Sequence, residues 1–588
     1  MNEIKKASPP APAVLAHRRG VEVEYLLLLL LIGLIYTTRI ASPPVRGEES
    51  RRATATIYFL ETGNYIVPQQ QGDVVYMSAR PPVQNWLMLP FYALFRNMGA
   101  VTIRLPSVLG VFITSSLIYF YGRSWMSRLG AFAAALAFAT MLQVMELGRT
   151  AETDLVFSVF MTAGLFGWHY FYEIRKRPAL AWMLGYAAIA LATLTKGPQA
   201  PVYLFATTFL YLCWTRRFWA FFDKRHALGL CIYALIVGAW LVPYYLMTGK
   251  AGVVHIFTGD VAVGPGETVA RVAKHLVSFP FVLFGCLLPW SALLILFFRR
   301  SVRQNCRRLA QPLAFTAIAF CFAFLTVWLM PGARPRFLVN MFPCAAICIG
   351  LALNCAYAVA EQEKKEGEES DPVTVRKDLL RFTNFIACLA FLAALLVIGL
   401  SVYAAARKVE MRLAMSLSRA ILFGTGSIVL AMVISRNRRK VTATSYAASL
   451  FGVAAFFGLL YNLPIVDDMN RWSQRTDLAF QKLYEKELIP DHRSLVSLDE
   501  CPHLINYLHF LQLHVTIPKV TLAEIQEMRK TNDVYFVSDS EKFPIEYTLI
   551  AKLPLRRYRY SKEDKTVIFG KIPSSGGLKM QPHRRFDL

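Results

Sequence analysis

Apolar residues in this chain collect into long runs with few charges, instead of alternating with polar positions as in the strands and surface helices of a water-soluble domain. The first run covers about 22–40, and twelve more follow at about 102–122, 129–147, 153–172, 178–195, 198–215, 226–246, 274–298, 311–330, 336–358, 381–404, 416–434 and 443–463. At about 1.5 Å per residue, each can cross a hydrocarbon core of about 30 Å once tilt and snorkelling are allowed for. The pattern predicts an all-α polytopic membrane protein with about thirteen spans. Lys5, Lys6, Arg18 and Arg19 precede Tyr25–Tyr36, an order shared with signal peptides. Because the apolar region continues to about Ile40, we expect an uncleaved first helix with a cytoplasmic segment 1–21 before it.

Two stretches do not fit the spanning pattern. Pro81–Phe95 is apolar but short, and Pro90 interrupts it. We expect an interfacial or re-entrant helix there, within a first loop over 41–101 that also holds a helix over Glu49–Gly63, with Ala53, Ile57 and Leu60 on one face. After Val466 charges become frequent and short β-rich runs appear at Leu495–Leu498, His514–Pro518, Asp533–Ser538, Tyr547–Ala551 and Thr566–Lys571. Helical stretches at about 475–488, 502–512 and 521–530 lie between them. The expected organisation is a membrane domain over 22–466 and a small soluble α/β domain over 467–588 with a flexible tail.

Charge adds orientation. The formal net charge is +25, and the cations cluster in Arg123–Arg128, Arg175–Arg177, Arg216–Arg225, Arg299–Arg308 and Arg436–Lys440, with a mixed-charge loop at Glu361–Arg381. All six lie on one side when the N-terminus is inside, as the positive-inside rule requires. Arg407, Lys408 and Arg412 on the other side break the pattern. An odd span count puts the C-terminal domain outside. Basic loops of this kind suit a bilayer and its anionic lipids, and no aromatic-and-basic surface suggests nucleic acid. Of ten cysteines, eight fall inside apolar runs and none has the spacing of a metal knuckle, so they are expected to be small packing residues.

With sides assigned, the ionisable residues at span boundaries sort to the external rim: Glu48, Glu49, Arg80, Glu152, Asp154, Lys196, His255, Asp260, Glu267, Arg334 and Arg336. Such groups are costly beside a membrane unless paired or functional. Carboxylates mixed with cations at one rim suit a base and a phosphate clamp.

These residues also fall in a recognisable order. Gly47-Glu48-Glu49-Ser50-Arg51-Arg52-Ala53 is followed by Glu61-Thr62-Gly63-Asn64-Tyr65 and Pro68, then Arg80-Pro81-Pro82 with Trp86, then Arg104-Leu105-Pro106-Ser107. Thr150 to Leu155 and Leu194-Thr195-Lys196-Gly197-Pro198 complete the series. The series resembles the GT-C superfamily of membrane glycosyltransferases, in the branch with protein mannosyltransferases, aminoarabinose transferases and galacturonosyltransferase-like enzymes. It covers about 22–350. There are departures: Glu48 stands where the family usually has Asp, and Arg80 replaces lysine. Ala79 occupies the place of a glutamate implicated in metal binding.

The resemblance implies an inner-membrane enzyme with an extracytoplasmic active site. It would move a sugar from a polyprenyl-phosphate donor to a hydroxyl or phosphate of a lipid (lipid A-like), glycan or protein acceptor, with inversion. In this reading Glu48 is the base, with Glu49 as the alternative, and Asp154 orients the acceptor or holds the base loop. Arg80, Lys196 and Arg336 bind the donor phosphate, and His255 and Glu267 are candidates for the acceptor side. No cofactor is required, and Ala79 weakens the case for a divalent metal. Plainer readings stand beside these: Glu48, Glu49 and Asp154 as helix caps, Lys196 snorkelling, Arg80 as an interfacial anchor and Arg336 as a mark of a span's end, His255 as an ordinary loop histidine. A flippase for lipid-linked sugars is the alternative from another class. It predicts charges near mid-membrane and repeat symmetry, neither of which the sequence displays.

Overall fold

A computed structural model of the chain describes residues 22–45, 48–69, 80–258, 269–330, 333–366, 375–437, 442–472, 475–486, 488–489, 495–498, 501–538, 544–555 and 565–575. It is a large helical bundle with a small sheet near its C-terminal end. Among the described residues nine helices are long and apolar enough to cross a membrane, or ten if a bent pair counts as one span, against the thirteen expected. The difference lies in three shorter helices on predicted runs: Val23–Thr37, Arg128–Thr140 and Gln199–Trp214, of 15, 13 and 16 residues.

Two of the expected spans are broken, and their breaks meet. The run at 129–147 stops at Met141, whose backbone is extended, and resumes as Leu142–Leu147. The run at 274–298 is bent by 106° between Val272–Cys286 and Trp290–Phe298, where Pro289 cannot continue a helix. The Leu142 N–H donates to Leu288 O at 3.1 Å, and Trp290 Nε1 donates to Thr140 Oγ1 at 2.8 Å. Each break thus satisfies polar groups that the other exposes. A third departure is the helix Lys224–Thr258, which continues past the expected end near 246 and kinks at Gly249 (φ +66°).

The bundle is built around its small residues. Arg128–Thr140 (RLGAFAAALAFAT) is buried at every position after its first, and it packs along Phe342–Glu366. A Cβ added at Gly350 would stand 2.6 Å from Ala134 Cβ and 2.8 Å from Gly130 O, so glycine sets how closely these two backbones approach. Ser127 accepts from Gly130 N to cap the first helix, and Asn354 of the second accepts from Ser127 Oγ at 2.6 Å. The outer faces are apolar and uncovered: Leu246, Phe281 and Phe298 are each at least three-quarters exposed, a pattern suited to lipid. Cys213, Cys231, Cys321 and Cys388 stand on these outer faces instead of packing inside, while Cys306, Cys344, Cys355 and Cys501 are buried.

The C-terminal sheet has the order β1-β2-β4-β3, with β1 Leu495–Ser497, β2 Val534–Ser538, β3 Thr548–Leu555 and β4 Lys565–Ile572. β1 and β2 are parallel and the other pairs antiparallel. His514–Pro518, expected as a strand, is not one. His514 (φ +58°) caps the preceding helix, and Ile517 N donates to Asn506 Oδ1 instead of entering a ladder. That helix, His503–Leu513, rests on the first-loop helix Glu48–Thr62: Asn506 Nδ2 donates to Tyr58 Oη at 3.2 Å and Thr54 Oγ1 to His503 O at 3.3 Å. The C-terminal domain and the first loop therefore share one end of the bundle.

Candidate active site

The first-loop helix opens on Glu48 and Glu49, and successive helical residues point about 100° apart. The two carboxylates consequently have different surroundings. Glu49 turns inward. Arg104, one turn into the helix Ala100–Arg123, donates from Nε to Glu49 Oε1 at 2.7 Å and from Nη2 to Oε2 at 3.0 Å. The side chains are 2% and 1% exposed. Ala151 N donates to the same Oε1 at 2.9 Å, and the remaining Arg104 donors reach the carbonyls of Ile40, Pro43 and Pro44. This bidentate pair holds the first loop onto the bundle.

Glu48 faces the rim. Arg52, one turn on, lies 3.2 Å from its carboxylate and Arg51 3.7 Å away. Burial pushes the Glu48 carboxyl up, but Arg52, Arg51, Arg336 and Arg80 together hold it below the ordinary glutamate range. Glu48 is therefore ionised at neutral pH.

Two further pairs complete the cluster. Lys196 Nζ stands 2.5 Å from Asp154 Oδ1, both side chains 4% exposed, and lies over the rings of Phe157 and Phe337 at 5.4 and 5.3 Å. Gly197 (φ +118°) ends the helix directly after Lys196, and Arg80 Nη1 donates to the Lys196 carbonyl at 2.9 Å. The Thr-Lys-Gly-Pro stretch thus serves as a turn that presents both a cation and a carbonyl to the first loop. Arg336 Nη1 donates to Glu152 Oε1 at 2.9 Å. Glu152 is raised to about 7: burial lifts it most, Arg336 opposes that, and the neighbouring Asp154 and Glu48 charges lift it further. Among the described residues the cluster sets five cations (Arg51, Arg52, Arg80, Lys196, Arg336) against three carboxylates (Glu48, Glu152, Asp154). An excess of positive charge held in fixed geometry suits a phosphate ester.

The structure thus brings Glu48, Arg80, Asp154, Lys196 and Arg336 together and directs Glu49 to a separate partner. His255 is exposed on the helical stretch after the Gly249 kink and takes part in none of these pairs. Asp260, Glu267 and Ala79 lie outside the described residues. Among the described residues no group of three His, Cys, Asp or Glu side chains is placed to hold a metal ion.

Three contributors escaped assignment in the sequence. Arg104 sits inside an apolar run, where a charge demands a partner. Arg52 is spaced one helical turn from Glu48. Arg149 gave no comparable signal: it caps the end of Val23–Thr37 by donating to Ile35 O at 3.0 Å and Thr38 O at 2.6 Å, and it also binds Asn462.

The chain resembles known proteins in sequence and in fold. Residues 79–242 match the family described as dolichyl-phosphate-mannose-protein mannosyltransferase. An uncharacterized protein of Aquifex aeolicus is 31% identical over 205 residues, 35% of this chain and 44% of the relative. An undecaprenyl phosphate-alpha-4-amino-4-deoxy-L-arabinose arabinosyl transferase of Pseudomonas paraeruginosa is 24% identical over 332 residues, 56% of this chain and 59% of the relative. The chain therefore spans about half the length of the curated relatives it matches. The crystal structure of ArnT from Cupriavidus metallidurans bound to undecaprenyl phosphate superposes with a TM-score of 0.66 at 15% identity, covering 94% of this chain and 99% of that one. The fold along nearly the whole chain is thus that of ArnT, and residues 79–242 resemble the dolichyl-phosphate-mannose-protein mannosyltransferase family in sequence.

Proposed function

We propose that this chain is an inverting glycosyltransferase of the inner membrane. It moves a sugar from a polyprenyl-phosphate carrier to an acceptor hydroxyl or phosphate at the extracytoplasmic face. The observation that carries this reading is the cation-rich cluster around an ionised Glu48, at the bundle end that also bears the C-terminal domain. An acceptor hydroxyl placed at Glu48 gives up its proton to the carboxylate as its oxygen attacks the anomeric carbon. The bond from that carbon to the phosphate oxygen breaks, and polyprenyl phosphate leaves with an added negative charge. Arg80, Lys196 and Arg336 stabilise that charge as it develops. A base held below its usual range is a weak one. The donor's phosphate relieves this, because its negative charge offsets the arginines that depress Glu48.

Asp154 has its role through Lys196, whose ammonium it holds at the rim, and Glu152 has its role through Arg336. Glu49 anchors the loop. A flippase is not favoured, since the relatives of known name are transferases and the Lys196–Asp154 and Arg336–Glu152 pairs lie together at one rim. Undecaprenyl phosphate, bound to the similarly folded ArnT, has the carrier chemistry this cluster fits.

The test is sugar transfer by the purified chain, with polyprenyl-phosphate sugars offered beside nucleotide sugars. Turnover with the lipid donors alone is expected; turnover with nucleotide sugars alone would discard the reading. Arg80→Ala should raise the donor KM by about tenfold with little change in acceptor KM, the loss of one charged hydrogen bond. Equal donor affinity in the variant would remove Arg80 from the clamp. Because Glu152 titrates near 7, its ion pair with Arg336 is lost as the pH falls through that value. The kcat/KM of the native chain should fall on the same acid limb, and Glu152→Gln should flatten it. A limb that survives the substitution would assign it to another group.

A further inference from the structure

The end of the bundle opposite the Glu48 cluster holds a cavity of about 660 Å³. One wall is cationic: Arg300, Arg303 and Arg307 recur at helical spacing along the short helix Arg300–Cys306 and the turn after it. The other wall is apolar, formed by Trp214, Phe297 and Leu313 among others. Trp214 ends the helix that starts just beyond Lys196, and the arginines lead into the span that returns toward Arg336. With about 1.5 Å of rise per residue, the 19 residues of Ala310–Trp328 separate the two sites by most of a membrane's thickness.

Several cations at the same end have carboxylate partners. Arg299 and Arg381 pair with Asp378, Arg123 and Arg128 with Glu22, and Arg217 and Lys176 with Glu173. Among the described residues no carboxylate pairs with Arg300, Arg303 or Arg307. Three like charges within about two turns repel one another and favour an anionic partner. Just before Arg300, Ile295 and Phe298 are 64% and 79% exposed, which places a lipid-facing surface beside the cationic wall. The cavity therefore straddles the boundary between apolar span and polar loop.

We propose that this cavity binds the phosphate-ester head of an anionic membrane lipid, its phosphate against the arginines and the start of its acyl region along Trp214, Phe297 and Leu313. Guanidinium groups match phosphate oxygens in fork geometry, and basic pockets between spans recognise acidic lipid heads. The apolar wall selects a lipid over a free phosphate ester, which would leave that surface uncovered. The site is separate from the transfer chemistry and independent of its assignment.

The test uses the full chain purified in detergent and incubated with phosphatidylglycerol or phosphatidylcholine, with retained lipid counted by native mass spectrometry. Wild type should hold phosphatidylglycerol in preference to phosphatidylcholine. The pair Arg303→Gln and Arg307→Gln should weaken that retention by roughly twenty-fold. Ala317→Phe, which fills the apolar side and leaves every charge in place, should also displace the lipid. Arg225→Gln, an exposed arginine at the same end, should leave retention unchanged. Unaltered retention in both cavity variants, or equal loss in the Arg225 control, would overturn the proposal. Displacement by millimolar glycerol phosphate would reassign the cavity to soluble phosphate esters and defeat the lipid assignment.

Discussion

Glu48→Gln is expected to lower turnover by about 10²–10⁴-fold, the usual contribution of a positioned base, while the donor still binds. The glutamine keeps the shape and one hydrogen-bond acceptor for Arg52, at 3.2 Å in the native chain, but it cannot take a proton. Removing the negative charge also takes the Glu48 carboxylate away from Arg51 and Arg52. Donor affinity should therefore stay level or rise, since the anionic phosphate gains those cations. The measurement is kcat and donor Kd on the purified variant. Turnover within a few-fold of wild type would exclude Glu48 as the base. A loss confined to donor affinity would make it a binding residue. Glu48→Asp adds a finer test, because the family's usual residue is shorter at this position. Partial activity is expected there, with the carboxylate set back by one methylene from the acceptor oxygen.

What could be read from the sequence was whatever depended on local pattern. Long apolar runs located the helices, and the boundary positions of Glu48, Arg80, Asp154, Lys196 and Arg336 marked one rim. Pairings between distant segments were hidden. Nothing local shows that Leu142 N meets Leu288 O, so the breaks at Met141 and before Trp290 read as two continuous spans. Gly249 is a single glycine in a favourable stretch, and only tertiary context makes it a kink. The strand expected at 514–518 shrinks to one bridge beside β1, where Ser497 N donates to Pro518 O, because the Ile517 N–H goes to the Asn506 side chain. The adjacent acids Glu48 and Glu49 posed the sharpest ambiguity. They differ by one step of helical rotation, and the partner that separates their roles lies 55 residues further on.

Glu49→Gln should therefore fail differently from Glu48→Gln, in stability before chemistry. The Glu49–Arg104 pair is buried, with two hydrogen bonds between the partners and three backbone carbonyls on the remaining guanidinium donors. Breaking such a pair from one side leaves an uncompensated buried charge and costs about 3–5 kcal/mol. The loss should concentrate where the pair acts, at the seam between Glu48–Thr62 and Ala100–Arg123. A lower thermal midpoint in detergent, with faster amide exchange over Glu48–Thr62, is the expected result. The folded fraction should keep kcat within about tenfold of wild type, because the reacting carboxylate is still present. Replacing both partners by apolar residues, Glu49→Leu with Arg104→Met, should recover a good part of the stability, since no charge is then stranded. Complete loss of turnover in a Glu49→Gln protein of native midpoint would give the opposite result: Glu49 would then be the base, and Glu48 the residue that holds the arginines in place.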